Sequence, residues 1–283
     1  MNKVALIFFL LVIPVLGFAE KSQKAQSWAK HTCNDIIIYG VVSKTNQLIK
    51  IDPKDGSSVV VGDLGINIGL SSLSYYNGVL IGCSFATRKP MTDEERKQLK
   101  ALPPEERRKL RGVGQKLLIY SINEDTGVAT IKHEITMDRT KIGGVGVGFE
   151  ACASGGYFRV SNSTLQKISS DGVIKEIMSL KEKNGKGTGS YCLGTKSDGK
   201  LIGINMEKQI VTIDPVRAKR HKGMKLPIDS GVPSLALTKD DQVYFVTFKG
   251  ETYYMSSPTK RPKLLGKTAL VPWGIAIKEC END

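Results

Sequence analysis

One unit recurs along this chain and constrains its fold more than any other feature. It is a run of alternating apolar residues, a turn of Asp, Asn or Ser with Gly or Pro, and a second alternating run. Copies read QLIKIDPKDGSSVVV (47–61), LLIYSINEDTGVATI (117–131), TLQKISSDGVIKEI (164–177), QIVTIDPVRAKRHKG (209–223) and ETYYMSSPTKRPKLLG (251–266). Their matched apolar positions are Ile51, Ile122, Ile168, Ile213 and Met255, separated by 71, 46, 45 and 42 residues. The alternation has the two-residue period of a half-buried strand. Asp-Pro-x-Asp-Gly and Asn-x-Asp-x-Gly close hairpins, because Pro presets the first central residue of a turn and Gly accepts positive φ.

A second family of segments lies between these copies: GLSSLSYYNGVLIGCSF (69–85), GFEACASGGYFRVSN (148–162), SYCLGTKSDGKLIGIN (190–205), VPSLALTKDDQVYFVTF (232–248) and VPWGIAIKEC (271–280). The first four each read as strand, tight turn, strand. Two hairpins in series, at about 40–45 residues per unit, are the pattern of propeller blades. Five units predict an all-β, five-bladed β-propeller over residues 34–283. The last segment supplies one strand and the N-terminal IIIYGVV and QLIKIDP supply the rest of its blade. The C-terminal strand is therefore expected to pair with the N-terminal ones, closing the ring and removing two free sheet edges.

Closure would bring Cys33 beside Cys280, and a disulfide there is expected to tie the chain ends together. Cys152 and Cys192 are the next candidate pair, on neighbouring inner strands, which leaves Cys83 as the odd thiol of five. No Cys-x-x-Cys occurs and His31, His133 and His221 are scattered, so no metal site is expected. The long first spacing marks an insertion at 88–114. Thr92 with Glu95 forms a capping box, Pro103-Pro104 breaks the segment, and Glu105-Glu106 with Arg108, Lys109 and Arg111 suits a second helix. A short helical hairpin between the second and third strands of its blade is the expectation.

The N-terminus has a charged start at Lys3, an apolar run from Val4 to Leu16 and Gly17-Phe18-Ala19. This predicts a signal peptide, residues 1–19, cleaved after Ala19 and followed by a lead-in at 20–33. The run is shorter than the roughly 20 apolar residues of a spanning helix. A soluble, monomeric, secreted or periplasmic protein is expected. Its formal net charge of +13 favours an anionic partner such as an acidic glycan or protein surface. The most localised basic residues are Arg217, Lys219, Arg220, His221, Lys222 and Lys225 in one turn, and Lys260, Arg261 and Lys263 in the next. These are the polyanion-binding candidates, on the face opposite the blade-to-blade connections.

Propeller hydrolases need converging carboxylates at the channel, as acid and base or as metal ligands. The predicted inner strands carry mostly small and apolar residues with one carboxylate, Glu150. Glu150, Tyr191 and Trp273 form a candidate pocket at the channel mouth, in which Glu150 is the only candidate catalytic group. KEKNGKGTG (181–189) and GGVGVG (143–148) lack phosphate-loop and dinucleotide-binding spacing and read as linkers.

The unit seen at Ile51-Asp52-Pro53 with Gly56, and at Ile213-Asp214-Pro215, resembles the repeats of exported YVTN-like and quinoprotein-like propeller proteins. The resemblance covers residues 34–280 less the insertion and implies the fold. Those groups include binding scaffolds and enzymes. The tryptophan docking motif of quinoprotein dehydrogenases is missing, since only Trp28 and Trp273 occur, and no cofactor is expected. Exported glutaminyl cyclases share the five-bladed architecture alone. The leading expectation is a non-enzymatic binding propeller for a protein or anionic polymer. The alternative is an exported hydrolase or glutaminyl-cyclase-like enzyme using Glu150.

Overall fold

A computed structural model describes residues 36–66, 69–70, 72–86, 93–103, 106, 116–136, 149–152, 156–161, 163–169, 173–181 and 192–280. The expected signal peptide and lead-in lie outside them. The described residues form five antiparallel four-stranded sheets. One sheet holds β1 (Ile36–Val42), β2 (Gln47–Ile51) and β3 (Ser58–Asp63). The next holds β4 (Ser72–Tyr76), β5 (Val79–Ala86), β6 (Lys116–Ile122) and β7 (Ala129–Thr136). The third holds β8 (Phe149–Cys152), β9 (Gly156–Ser161), β10 (Thr164–Ile168) and β11 (Ile174–Ser179). The fourth holds β12 (Cys192–Thr195), β13 (Leu201–Ile204), β14 (Gln209–Asp214) and β15 (Lys219–Lys225). The fifth holds β16 (Ser234–Leu237), β17 (Val243–Val246), β18 (Glu251–Met255) and β19 (Lys263–Lys267). The last strand, β20 (Gly274–Glu279), returns to the first sheet and pairs with β1 from Ile36↔Glu279 to Val41↔Gly274.

The inner strands β4, β8, β12, β16 and β20 neighbour one another in a closed ring. The fold is thus a five-bladed β-propeller closed by its terminal strands. Trp273 N donates to Val41 O at 2.9 Å, carrying the closing ladder one residue past β20. The inner strands approach closely where side chains are small. A Cβ on Gly274 would lie 2.5 Å from Leu73 N and from Ser72 Cα.

Blades bury both faces, so the second strands read as apolar runs. Successive side chains of β1 point to opposite faces. Ile38 joins Ile49, Ile51, Tyr244 and Val246 on one side, and Tyr39 and Val41 join Leu73, Leu118 and Tyr120 on the other. The repeat residues Ile51, Ile122, Ile168, Ile213 and Met255 are all buried. Each lies at or one residue before the end of the third strand of its blade, opposite Ile38, Leu80, Tyr157, Leu201 and Val243 respectively.

Every described blade carries a register shift between its third and fourth strands. Such bulges twist the outermost strand and make its open edge a poor template for pairing. The turns joining those strands pack sideways on the preceding blade rather than only marking one face. Ala129 N donates to Leu64 O at 2.9 Å. Gly127, at φ 81°, abuts Gly62 of β3, where an added Cβ would lie 2.9 Å from the Gly62 carbonyl carbon.

Within the insertion, α1 (Asp93–Ala101) runs between β5 and β6, with Leu99 buried. Of the expected second helix, Glu106 is described and is helical; the remainder lies outside the described residues. Among the described residues no helix is long and apolar enough to cross a membrane.

Candidate functional site

The basic segment is a strand more than a turn. The turn after β14 ends at Ala218, and Lys219–Lys225 form β15, the outermost strand of its blade. This corrects the expectation of a basic loop. The segment lacks apolar alternation, but an outer strand bordering water needs none, and pairing with β14 holds it extended. Asp214 Oδ1 organises the turn by accepting from Val216 N at 3.1 Å and Arg217 N at 2.9 Å. The Arg217 guanidinium lies 3.9 Å from the same carboxylate.

Lys219, His221, Lys222 and Lys225 are exposed along β15. Arg220 instead turns inward and donates through Nη1 to Leu180 O at 2.6 Å, bracing the preceding blade. No acidic residue occurs from Pro215 to Ile228. In the adjacent blade Lys260 and Arg261 stand in the turn before β19 and Lys263 begins that strand, all three exposed.

A narrow opening of about 230 Å³ lies where inner strands converge, lined by Ser72, Leu73, Cys192, Leu193, Ser234, Trp273 and neighbouring residues. Its water-accessible part is only about 10 Å³, roughly the room one water needs. Trp273 is 37% exposed and meets the exposed Phe248 ring edge-on, with centroids 5.7 Å apart. Ser72 Oγ lies 3.1 Å from Cys83 Sγ. The Ser234 hydroxyl is buried and has no hydrogen-bond partner among the described residues. Of the three channel-mouth candidates, Trp273 is in this opening. The Glu150 backbone is in β8, paired with Phe158. The Glu150 side chain and all of Tyr191 lie outside what is described. The described lining residues carry no carboxylate.

A polar cluster escaped the sequence reading. The Asn-Glu-Asp-Thr-Gly turn is held by Asn123 Oδ1, which accepts from Asp125 N at 3.0 Å and Thr126 N at 2.9 Å. This orients Glu124 toward the closing blade. Its Oε2 accepts from Tyr39 Oη and Lys278 Nζ, both at 2.8 Å, and its Oε1 accepts from Tyr75 Oη at 3.0 Å. Lys278 Nζ also lies 5.7 Å from the centre of the Tyr75 ring.

Burial alone would raise the Glu124 carboxyl, but hydrogen bonds from Lys278, Tyr39 and Tyr75 outweigh it and hold the group below its ordinary value. Burial, and then the bond to Glu124, pushes the Tyr39 phenol up. A shallow cleft beside the cluster is lined by Gly78, Leu80, Ile122, Asp125 and Lys278. A lone Glu in a turn gives no sign in sequence of three partners from β1, β4 and β20.

Two thiols are settled. Cys83 and Cys192 are buried thiols outside any disulfide. The alternative Cys152–Cys192 bridge is therefore absent. Cys192 Sγ faces Ile204 O at 3.8 Å within its own blade, and burial pushes the thiol up to about 12.

No protein-family model matches this chain. No curated protein matches it either. Among solved structures, the chain is similar to virginiamycin B lyase from Staphylococcus aureus, at 15% identity and a TM-score of 0.40. That match covers 79% of this chain and 64% of the lyase, so the chain spans less than two thirds of the lyase's length. A catalytically inactive variant of that lyase with quinupristin matches at 16% identity and a TM-score of 0.42, over 83% of this chain and 72% of the other. A protein of unknown function from Bacteroides caccae matches at 10% identity and a TM-score of 0.48, over 86% of this chain and 99% of its own. The five-bladed assignment stands on this chain's own sheet order, closed through β1 and β20.

Proposed function

We propose that this protein is an exported, non-enzymatic propeller that binds an anionic polymer or an acidic protein surface along β15 and the neighbouring basic turn. One observation carries the reading: four exposed cationic or imidazole side chains, Lys219, His221, Lys222 and Lys225, follow one another on an outer strand. Closely spaced cations on an extended backbone suit a linear polyanion, whose bound counterions are released on contact. Exposed lysines on an edge strand also deter strand addition, and that role is compatible with binding.

Export is supported by the leader pattern. A disulfide at Cys280 would fit the same compartment, since such bonds persist outside the reducing cytosol. Cys33 is our choice of partner. Ile36 pairs with Glu279, so the chain preceding β1 and the chain following β20 start from one place.

The test is salt elution from a heparin-type resin. K219E/K222E/K225E should elute at about half the salt of the parent, because fewer counterions are displaced. K44E/K54E/K249E makes the same charge change at exposed lysines elsewhere and should elute near the parent. Equal loss in both variants would mean diffuse attraction and would remove the site. Parent elution at near-physiological salt would remove the reading itself.

A further inference from the structure

The central opening combines an aromatic rim with a buried polar group that has no partner among the described residues. Ser234 begins β16 and is 3% exposed, yet its Oγ makes no hydrogen bond among the described residues. A buried hydroxyl left unpaired costs free energy, so a water or a ligand hydroxyl within reach of such a group is favoured. Ser234 and Trp273 line the same opening.

The rim is held in place. Trp273 is anchored through its backbone to Val41, and Phe248 N donates to Gly231 O at 2.9 Å. Gly231 leaves room for the Phe248 ring, which a Cβ there would approach to 3.2 Å. The result is an exposed indole braced edge-on by a second ring, above a lining whose described residues are all uncharged.

These features ask for a neutral ligand with an apolar face and hydroxyls at its edge. We propose that the mouth of the central opening binds one ring of a neutral oligosaccharide. The sugar's C–H face lies on Trp273, and a hydroxyl, directly or through one water, reaches Ser234 Oγ. The opening is too narrow for a sugar ring to enter, so the ring sits at the mouth and the rest of the chain extends over the surface. This site is separate from β15 and does not depend on polyanion binding.

The experiment is saturation-transfer NMR and calorimetry on the full mature protein. The probes are neutral hexasaccharides of glucose, mannose and N-acetylglucosamine. At least one should bind and show saturation at its ring C–H protons. W273A should weaken that binding at least tenfold, F248A less, and S234A about fivefold. S234A should also leave the unliganded protein at least as stable as the parent, since it removes an unpaired group. The K219E/K222E/K225E variant should bind the same sugar normally. Binding by none of the three probes, or undiminished binding by W273A, overturns the proposal. A crystal grown with the bound sugar that shows an ordered water only at Ser234, with no sugar at Trp273, overturns it too.

Discussion

Tyr39 donates its hydroxyl to Glu124 at 2.8 Å across 85 residues of chain, linking the second strand of the closing blade to the outer turn of the next. Tyr39 is 1% exposed, so without Glu124 its hydroxyl would be left buried and unpaired. Lys278 would lose its counter-charge as well, but its partly exposed ammonium can turn to water. Glu124→Ala should therefore cost about 2–3 kcal/mol, and Tyr39→Phe about 1 kcal/mol. Urea unfolding of both variants and the double variant checks this; strictly additive losses would refute the coupling.

The same network sets a pH window. Glu124 is held below its ordinary value in the fold, so its stabilisation is complete above the unfolded carboxyl pKa of about 4.3 and fades as pH falls through the folded value. Tyr39 is held above its ordinary value, so stability falls once pH passes about 10, where the unfolded phenol ionises and the folded one does not. Lys278 is also raised, first by its bond to Glu124, and its contribution likewise fades in strong alkali. Unfolding midpoints from pH 2 to 11 should show both limbs, with a flatter acid limb in Glu124→Gln. An unchanged acid limb in that variant would count against the assignment.

Ala218 occupies the turn position that Gly56 and Gly127 occupy in other blades. Its φ is 50°, against 68° and 81° for the glycines. A Cβ is disfavoured in that left-handed region, so Ala218→Gly should stabilise by about 0.5–1 kcal/mol. Gly56→Ala should destabilise by more than about 1 kcal/mol, because its Cβ would also lie 3.0 Å from Thr252 Cβ and 3.1 Å from the Gly266 carbonyl carbon. Thermal melts of the two variants should move in opposite directions, and a lower melting temperature for Ala218→Gly would defeat the comparison.

Gly274 marks how tightly the ring closes. Its absent Cβ would sit 2.5 Å from the backbone of β4, so even Gly274→Ala must push β20 away. A loss of about 1–3 kcal/mol is expected, greater for Gly274→Val. Hydrogen exchange should show the β1–β20 ladder opening first. A variant as stable as the parent would mean that the inner strands tolerate separation.

The cysteines give a count. If the proposed Cys33–Cys280 bridge forms, three of the five cysteines remain as thiols. The unreduced, denatured protein should titrate three, and Cys192 should resist alkylation in the native state. Cys280→Ser should cost about 4–5 kcal/mol in the chain-entropy account of such a long loop. Five thiols in the unreduced protein would exclude the bridge.

The blades were legible because strand period and turn chemistry are local. Ile51, Ile122, Ile168, Ile213 and Met255 mark one position of a short motif, and all five are buried as that motif implies. Closure was legible too, since one unmatched strand at one end and three at the other make a single blade. The basic residues are visible in the sequence, but Lys219–Lys225 reads as a turn because it carries no apolar alternation; its pairing with β14 makes it a strand.

Other features required the ring itself. Glu124 meets Tyr75 of its own blade, but reaches Tyr39 and Lys278 only once the terminal strands have closed the adjoining blade. Phe248 beside Trp273, and the unpaired hydroxyl of Ser234, likewise depend on how neighbouring blades meet. Backbone periodicity writes strands and turns into a few consecutive residues. Convergence of side chains on one point depends on angles between blades, which tight packing of inner strands such as β20 on β4 imposes.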